Sequence, residues 1–298
     1  MDFTAFHNSL PIRQFYVERV LAHQFAQEII QGTSWKTTAA GAVGSTLHSN
    51  QHSQYEEMLG IPSQLAYLED RIFEGLPTQE AQVFPFAFLT SIHPGADLSL
   101  VLARFMLWLL IDPEHGVVRC AGKHGQVVSD VAALYQRIID GEAVAKPEWP
   151  PLIHAASTHG KAALEAAETF QKKSALSMLA AAEKASHAFD AAVVAAAAGY
   201  GAYGTEEIDP AITRALTDTV AQFGYGDLSA TAADYGDATA FMVAYGDDLA
   251  AYAGLVADRC VAAFTVGALS APVRKVHYRA MRDKLVALLQ EAPVVANS

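Results

Sequence analysis

The sequence is poor in cysteine, in positive charge and in long apolar runs. Its two cysteines, Cys120 and Cys260, lie far apart and outside any paired-thiol motif. That leaves no disulfide framework and fits a reduced, cytoplasmic setting. Lys and Arg number 20 against 32 Asp and Glu, a net charge of −12, so nucleic acid and anionic membranes are poor default partners. The longest uncharged Ala/Val stretch, Ala191–Thr205, is too short and too rich in Ala and Gly to span a bilayer. The opening MDFTAFHNSLPIRQ has neither the basic lead nor the apolar run of a signal peptide. Period-two alternation is almost missing as well, which argues against sheets and for an all-α fold.

What is present is a folded helical chain. Over half of the 298 residues are apolar and 17% are charged, which supports a sizeable core. Leu10–Gly32 reads as an amphipathic helix, with Pro11 in its first turn and Val17, Val20, Leu21, Phe25 and Ile29 at helical spacing. Thr33–Leu47 has no periodicity and reads as a loop, Ser49–Leu59 as a short helix ended by Gly60. Gln64–Glu74 follows as a helix capped by Ser63, with Leu65, Leu68 and Ile72 buried and Gly75 as its stop. Further helices are expected around Phe84–Ile92, over Leu98–Ile111 behind the N-cap Asp97, and over Ser129–Ile139, with Val117–Cys120 as a short extended piece. LSLVLARFMLWLLI is apolar nearly all round and is expected to be the central core helix.

KPEWPP, residues 146–151, marks a boundary between an N-terminal helical unit (1–145) and an Ala-rich unit (146–298). The expected architecture is a multi-helix bundle with long Ala-rich helices in the C-terminal half. Tyr-Gly-Asp recurs at Tyr225, Tyr235 and Tyr245, a ten-residue step that would spiral around a straight helix. From Ala185 to Asp258 there are eleven acids against one base, Arg214. The basic residues Arg274, Lys275, Arg279, Arg282 and Lys284 gather in the last helix, Val273–Glu291.

One stretch, Gly41–Pro77, concentrates the chemistry. Small residues Gly41, Ala42, Gly44 and Ser45 lead into His48 and His52, then Tyr55, Glu56 and Glu57, and a second acidic segment carries Glu69, Asp70 and Glu74. Spacing of four would put His48, His52 and Glu56 on one helical face. Eight residues rise about 12 Å along the axis, however, so His48 and Glu56 cannot hold one ion together. A metal would need one adjacent pair plus Glu69, Asp70, His23 or His7. The plainer alternative is a polar surface helix whose histidines bond loop carbonyls. Ser45 and Thr46 lie near enough to His48 in sequence to allow a hydroxyl–imidazole pair. Arg104, a lone charge in an apolar helix, must pair or reach solvent; it is either a structural ion pair or an anion contact.

The runs AVGSTLHS, YEEMLGIP and LEDRIFEGLP, then GADLS, WLLIDPEHGVVRCA and an Ala-rich tail, resemble a family of uncharacterised bacterial and phage-associated helical proteins, over roughly residues 35–135. In that family cysteines stand where this chain has Gly41 and Ser45. The departure counts against a thiol nucleophile or a zinc–thiolate centre here, and the resemblance implies an architecture and a site location rather than a reaction. The sequence thus leads to a small-ligand pocket, nucleotide-like ligands included, with or without hydrolase or transferase chemistry. In it His48 or His52 is the acid/base, Glu56 or Glu69 its orienting partner, and Ser45, Tyr55, Glu69, Asp70 and Arg104 line the ligand. The alternative is a non-enzymatic interaction protein of phage or plasmid origin that binds a host component. The sequence leaves the cofactor open, and a homo-oligomer is compatible with either reading.

Overall fold

A computed structural model describes residues 4–33, 35, 39–116, 118, 125–152, 154–156, 158 and 278–295. Among them the fold is all-α, without strands. The expected Ala-rich helices, the Tyr-Gly-Asp repeat and the acidic segment lie outside the described residues, as does most of Val117–Cys120.

Among the described residues the N-terminal part has seven α-helices: α1 Leu10–Phe25, α2 Ala42–Leu47, α3 Gln54–Leu59, α4 Ser63–Gly75, α5 Thr78–Ser91, α6 Val101–Ile111 and α7 Gly125–Ile139. Ser9 caps α1 by accepting the Ile12 N–H at 3.4 Å, and Pro11 occupies its first turn. The helix ends at Phe25, short of the expected Gly32, because Gln27 turns into the left-handed region at φ 58°. α2 falls inside the expected loop. Its six residues, AVGSTL, are buried all round, so no amphipathic period marks it. α3 begins five residues later than expected and leaves His52 in the turn before it. α4 keeps the expected face, with Leu65, Leu68 and Ile72 buried.

α1 packs on α5 and α2, α2 on α4 and α5, and α6 pairs mainly with α7. One continuous core joins these helices to Trp149, buried against Tyr135, and to a helix over residues 278–290. That last helix contributes Met281, Leu285, Leu288 and Leu289 to the core. Its Arg279 and Arg282 both pair with Glu80 at the start of α5. The chain beyond it binds the loop at 93–97, where Asp97 N–H donates to Pro293 O (2.8 Å) and Val295 N–H to Gly95 O (3.0 Å). The same loop holds the N-terminal segment through Ala5 N–H to Ala96 O (3.0 Å) and Gly95 N–H to Ala5 O (2.8 Å). Residues 278–295, assigned from sequence to the second unit, therefore complete the core of the first. Among the described residues no helix is long and apolar enough to cross a membrane.

Candidate functional site

The end of α1 folds back on itself. Glu28 N–H donates to His23 O (3.0 Å) after the left-handed turn at Gln27, and this places the Glu28 carboxylate 2.7 Å from His23 Nδ1. A short parallel bridge then ties the chain to the start of α2, with Ala40 N–H donating to Glu28 O and Ile30 N–H to Ala40 O, both at 2.9 Å. α2 is brief, and its C-cap is His48 in the left-handed region at φ 58°. There the His48 ring reaches back to α1, and its Nε2 meets His23 Nε2 at 2.7 Å. Trp35 stacks on His48 with centroids 4.3 Å apart and planes 11° from parallel.

Glu28, His23 and His48 form a hydrogen-bonded relay whose proton positions follow from its acceptor-only end. The Glu28 carboxylate accepts from His23 Nδ1–H, which leaves His23 Nε2 to accept from His48 Nε2–H. His48 Nδ1 is then the unprotonated nitrogen. His48 is exposed, yet its pKa lies below the ordinary imidazole value. Partial burial contributes most, the positive charge of Arg19 and the adjoining His23 add to it, and Glu28 opposes it.

A second network lies beneath α2. Tyr55 on α3 donates its hydroxyl to Glu69 Oε2 on α4 (2.7 Å), and both residues are fully buried. Burial holds the Glu69 carboxyl well above the usual range; the Tyr55 hydrogen bond opposes this and the Asp70 charge reinforces it. Burial likewise raises the Tyr55 hydroxyl, the Glu69 charge adds to that, and a hydrogen bond with Thr46 acts against it. Glu69 Oε1 is buried without a hydrogen-bond partner. Next along α4, Asp70 Oδ2 stands 3.3 Å from His52 Nε2, and the His52 ring stacks on Tyr67 at 4.0 Å. Asp70 Oδ1 borders Gly41, where a Cβ would sit 3.7 Å from it and only 2.9 Å from Thr33 O. Gly41 thus has no room for a side chain unless the Thr33 backbone moves.

The residues singled out from sequence divide between these networks rather than sharing one. Tyr55 joins Glu69, His52 joins Asp70, and His48 joins His23. Ser45 is buried and gives its hydroxyl to Ala42 O (2.8 Å), inside its own helix and away from any imidazole partner. Glu56 does not orient a histidine: its Oε1 accepts from the Ser63 N–H (3.0 Å) and the Ser63 hydroxyl, and so caps α4. Arg104 is exposed on α6, so water solvates its charge, and α6 packs mainly on α7 rather than on the helices bearing the histidines. His7 bonds Glu57 O at 3.0 Å. Glu28, Trp35 and Arg19 were not singled out from sequence. No local signal marked Glu28, which lay inside the helix read as far as Gly32, and Trp35 stood in an apparent loop.

Among the described residues no three His, Cys, Asp or Glu side chains gather as a metal centre would require. No protein-family model matches the chain, and no curated protein or solved structure shows detectable similarity to it.

Proposed function

We propose that the chain binds a small polar ligand at the α1–α2 junction and acts on it by acid–base chemistry of the hydrolase or transferase kind, with His48 as the base. The observation that carries this reading is the 2.7 Å contact between His23 and His48, backed by Glu28 at 2.7 Å. A surface histidine bonding a loop carbonyl needs no such backing. In the proposed step His48 Nδ1 takes a proton from water or a substrate hydroxyl as the oxygen attacks the acyl carbon of an ester. The acyl carbon's bond to the leaving oxygen then breaks, and His48 returns the proton to the departing alkoxide or, for a phenolate, to solvent. The charge that appears on the imidazole is spread through Nε2–H to His23 and opposed by the Glu28 carboxylate. The lowered His48 pKa keeps the ring neutral, and hence basic, below the usual histidine midpoint. His52–Asp70 is a second carboxylate-backed imidazole, and each ring has one face stacked on an aromatic side chain. His52 is half-buried whereas His48 is exposed, which favours His48 as the reacting group.

Hydrolysis of p-nitrophenyl acetate tests the assignment. His48→Ala should lower the rate by about 100-fold or more, and Glu28→Gln should lower it less. The wild-type pH–rate profile should lose its basic limb below the ordinary imidazole midpoint. Full wild-type activity in His48→Ala defeats the reading.

A further inference from the structure

Arg19 on α1 is fixed beside this relay in an unusual way. Its Nη1 donates to Thr46 O at 3.0 Å, and its guanidinium carbon lies 4.5 Å from the Phe15 ring centroid and 5.1 Å from that of Tyr16. The side chain is half-buried, yet it makes no ion pair with a carboxylate among the described residues. Arg137, Arg279 and Arg282 all rest on glutamates. Arg13 spends its donors on two carbonyls, Ile92 O and Thr90 O. A guanidinium carries five N–H donors, and Arg19 commits one, to the last turn of α2. Stacking on two rings removes much of the rotamer freedom that anion binding would otherwise cost. The charge is also close enough to act on His48. A positioned, half-buried cation without a carboxylate, next to an exposed base, is an arrangement that suits a ligand anion.

We propose that Arg19 is the anion contact of this site, so that its ligand is a small molecule carrying a carboxylate or phosphate near the bond on which His48 acts. The proposal rests on His48 as the base. It also moves the anion contact expected at Arg104 to another helix. Arg19 selects the substrate and takes no proton, so its removal should raise KM for anionic substrates specifically, and any change in kcat that it makes through His48 should be common to all substrates.

Two acetate esters of nitrophenols separate the roles, the neutral p-nitrophenyl acetate and the anionic 4-acetoxy-3-nitrobenzoate. Wild type should prefer the anionic ester. Arg19→Gln should raise KM for that ester by about tenfold relative to the neutral ester, and Arg19→Lys should recover part of the loss. Inorganic phosphate should inhibit the wild type competitively and Arg19→Gln far more weakly; a carboxylate-only site would show the ester preference without phosphate inhibition. Equal losses on both esters in Arg19→Gln, or no wild-type preference between them, overturn the proposal. Should His48→Ala leave both rates at the wild-type level, the base assignment fails alone. The anion contact is then decided by whether phosphate perturbs the Arg19 Nε–H resonance.

Discussion

Gly75 closes α4 where the helix over residues 278–290 begins, and the fit leaves no space. A Cβ at this position would lie 2.2–2.3 Å from three carbons of the Tyr278 ring, Cε1, Cδ1 and Cζ, more than an ångström inside normal contact. Two opposing effects meet in Gly75→Ala. Its φ is not in the left-handed region, so helix propensity favours Ala by up to about 1 kcal/mol. Displacing the Tyr278 ring costs about 1–3 kcal/mol of overpacking, and the ring cannot shift freely while Arg279 and Arg282 hold Glu80. The packing term should win, giving a net loss of about 1–2 kcal/mol in urea unfolding followed by tryptophan fluorescence. Tyr278→Ala removes the obstacle, and in that background the same glycine substitution should be neutral or mildly stabilising. The double-mutant cycle should therefore show a coupling of at least about 1 kcal/mol. A Gly75→Ala loss of equal size in both backgrounds would refute the claim that the C-terminal helix is seated against α4.

Glu69 makes stability depend on pH. Its folded pKa lies above the unfolded value, so its contribution is fully present below the ordinary carboxylate pKa and is lost as pH rises through the raised one. Melting temperatures should fall over that range in the wild type and more shallowly in Glu69→Gln; parallel slopes would contradict the burial argument. Glu56→Ala should cost about 1 kcal/mol of stability through the lost cap on α4, with p-nitrophenyl acetate hydrolysis unchanged. A large fall in kcat there would restore Glu56 to the site.

Helices with one apolar face were readable from sequence, α4 most clearly, because Leu65, Leu68 and Ile72 recur at helical spacing between Pro62 and the Gly75 stop. α2 was not readable. Every residue from Ala42 to Leu47 is buried, so its polar members Ser45 and Thr46 satisfy their hydroxyls on Ala42 O and leave no polar face. The site suffered from the same blindness. Gly41–Pro77 does supply His48, His52, Tyr55, Glu69 and Asp70, but counting along one helix could not show that these face three different ways. Glu56 illustrates why: a carboxylate seven residues before a helix start looks like a catalytic acid until the Ser63 N–H is found on it. Arg19 and His23 sit a helical turn apart on α1, and only the return of the chain through the Ile29–Ala40 bridge brings His48 to them.

The three-way junction at residues 93–97 has a consequence for how the protein is made. Its N-terminal partner, Ala5, is synthesised early, but Pro293 lies 196 residues beyond Asp97. At typical elongation rates of about 5–20 residues per second, roughly 200 residues of intervening chain impose a delay of about 10–40 s. During that interval the core surfaces later covered by Met281, Leu285, Leu288 and Leu289 have no native cover from this helix. The proposed acid–base site lies wholly within residues 19–48 and is translated before that interval begins. The order of synthesis therefore places the site's residues first and the closure of its supporting core last.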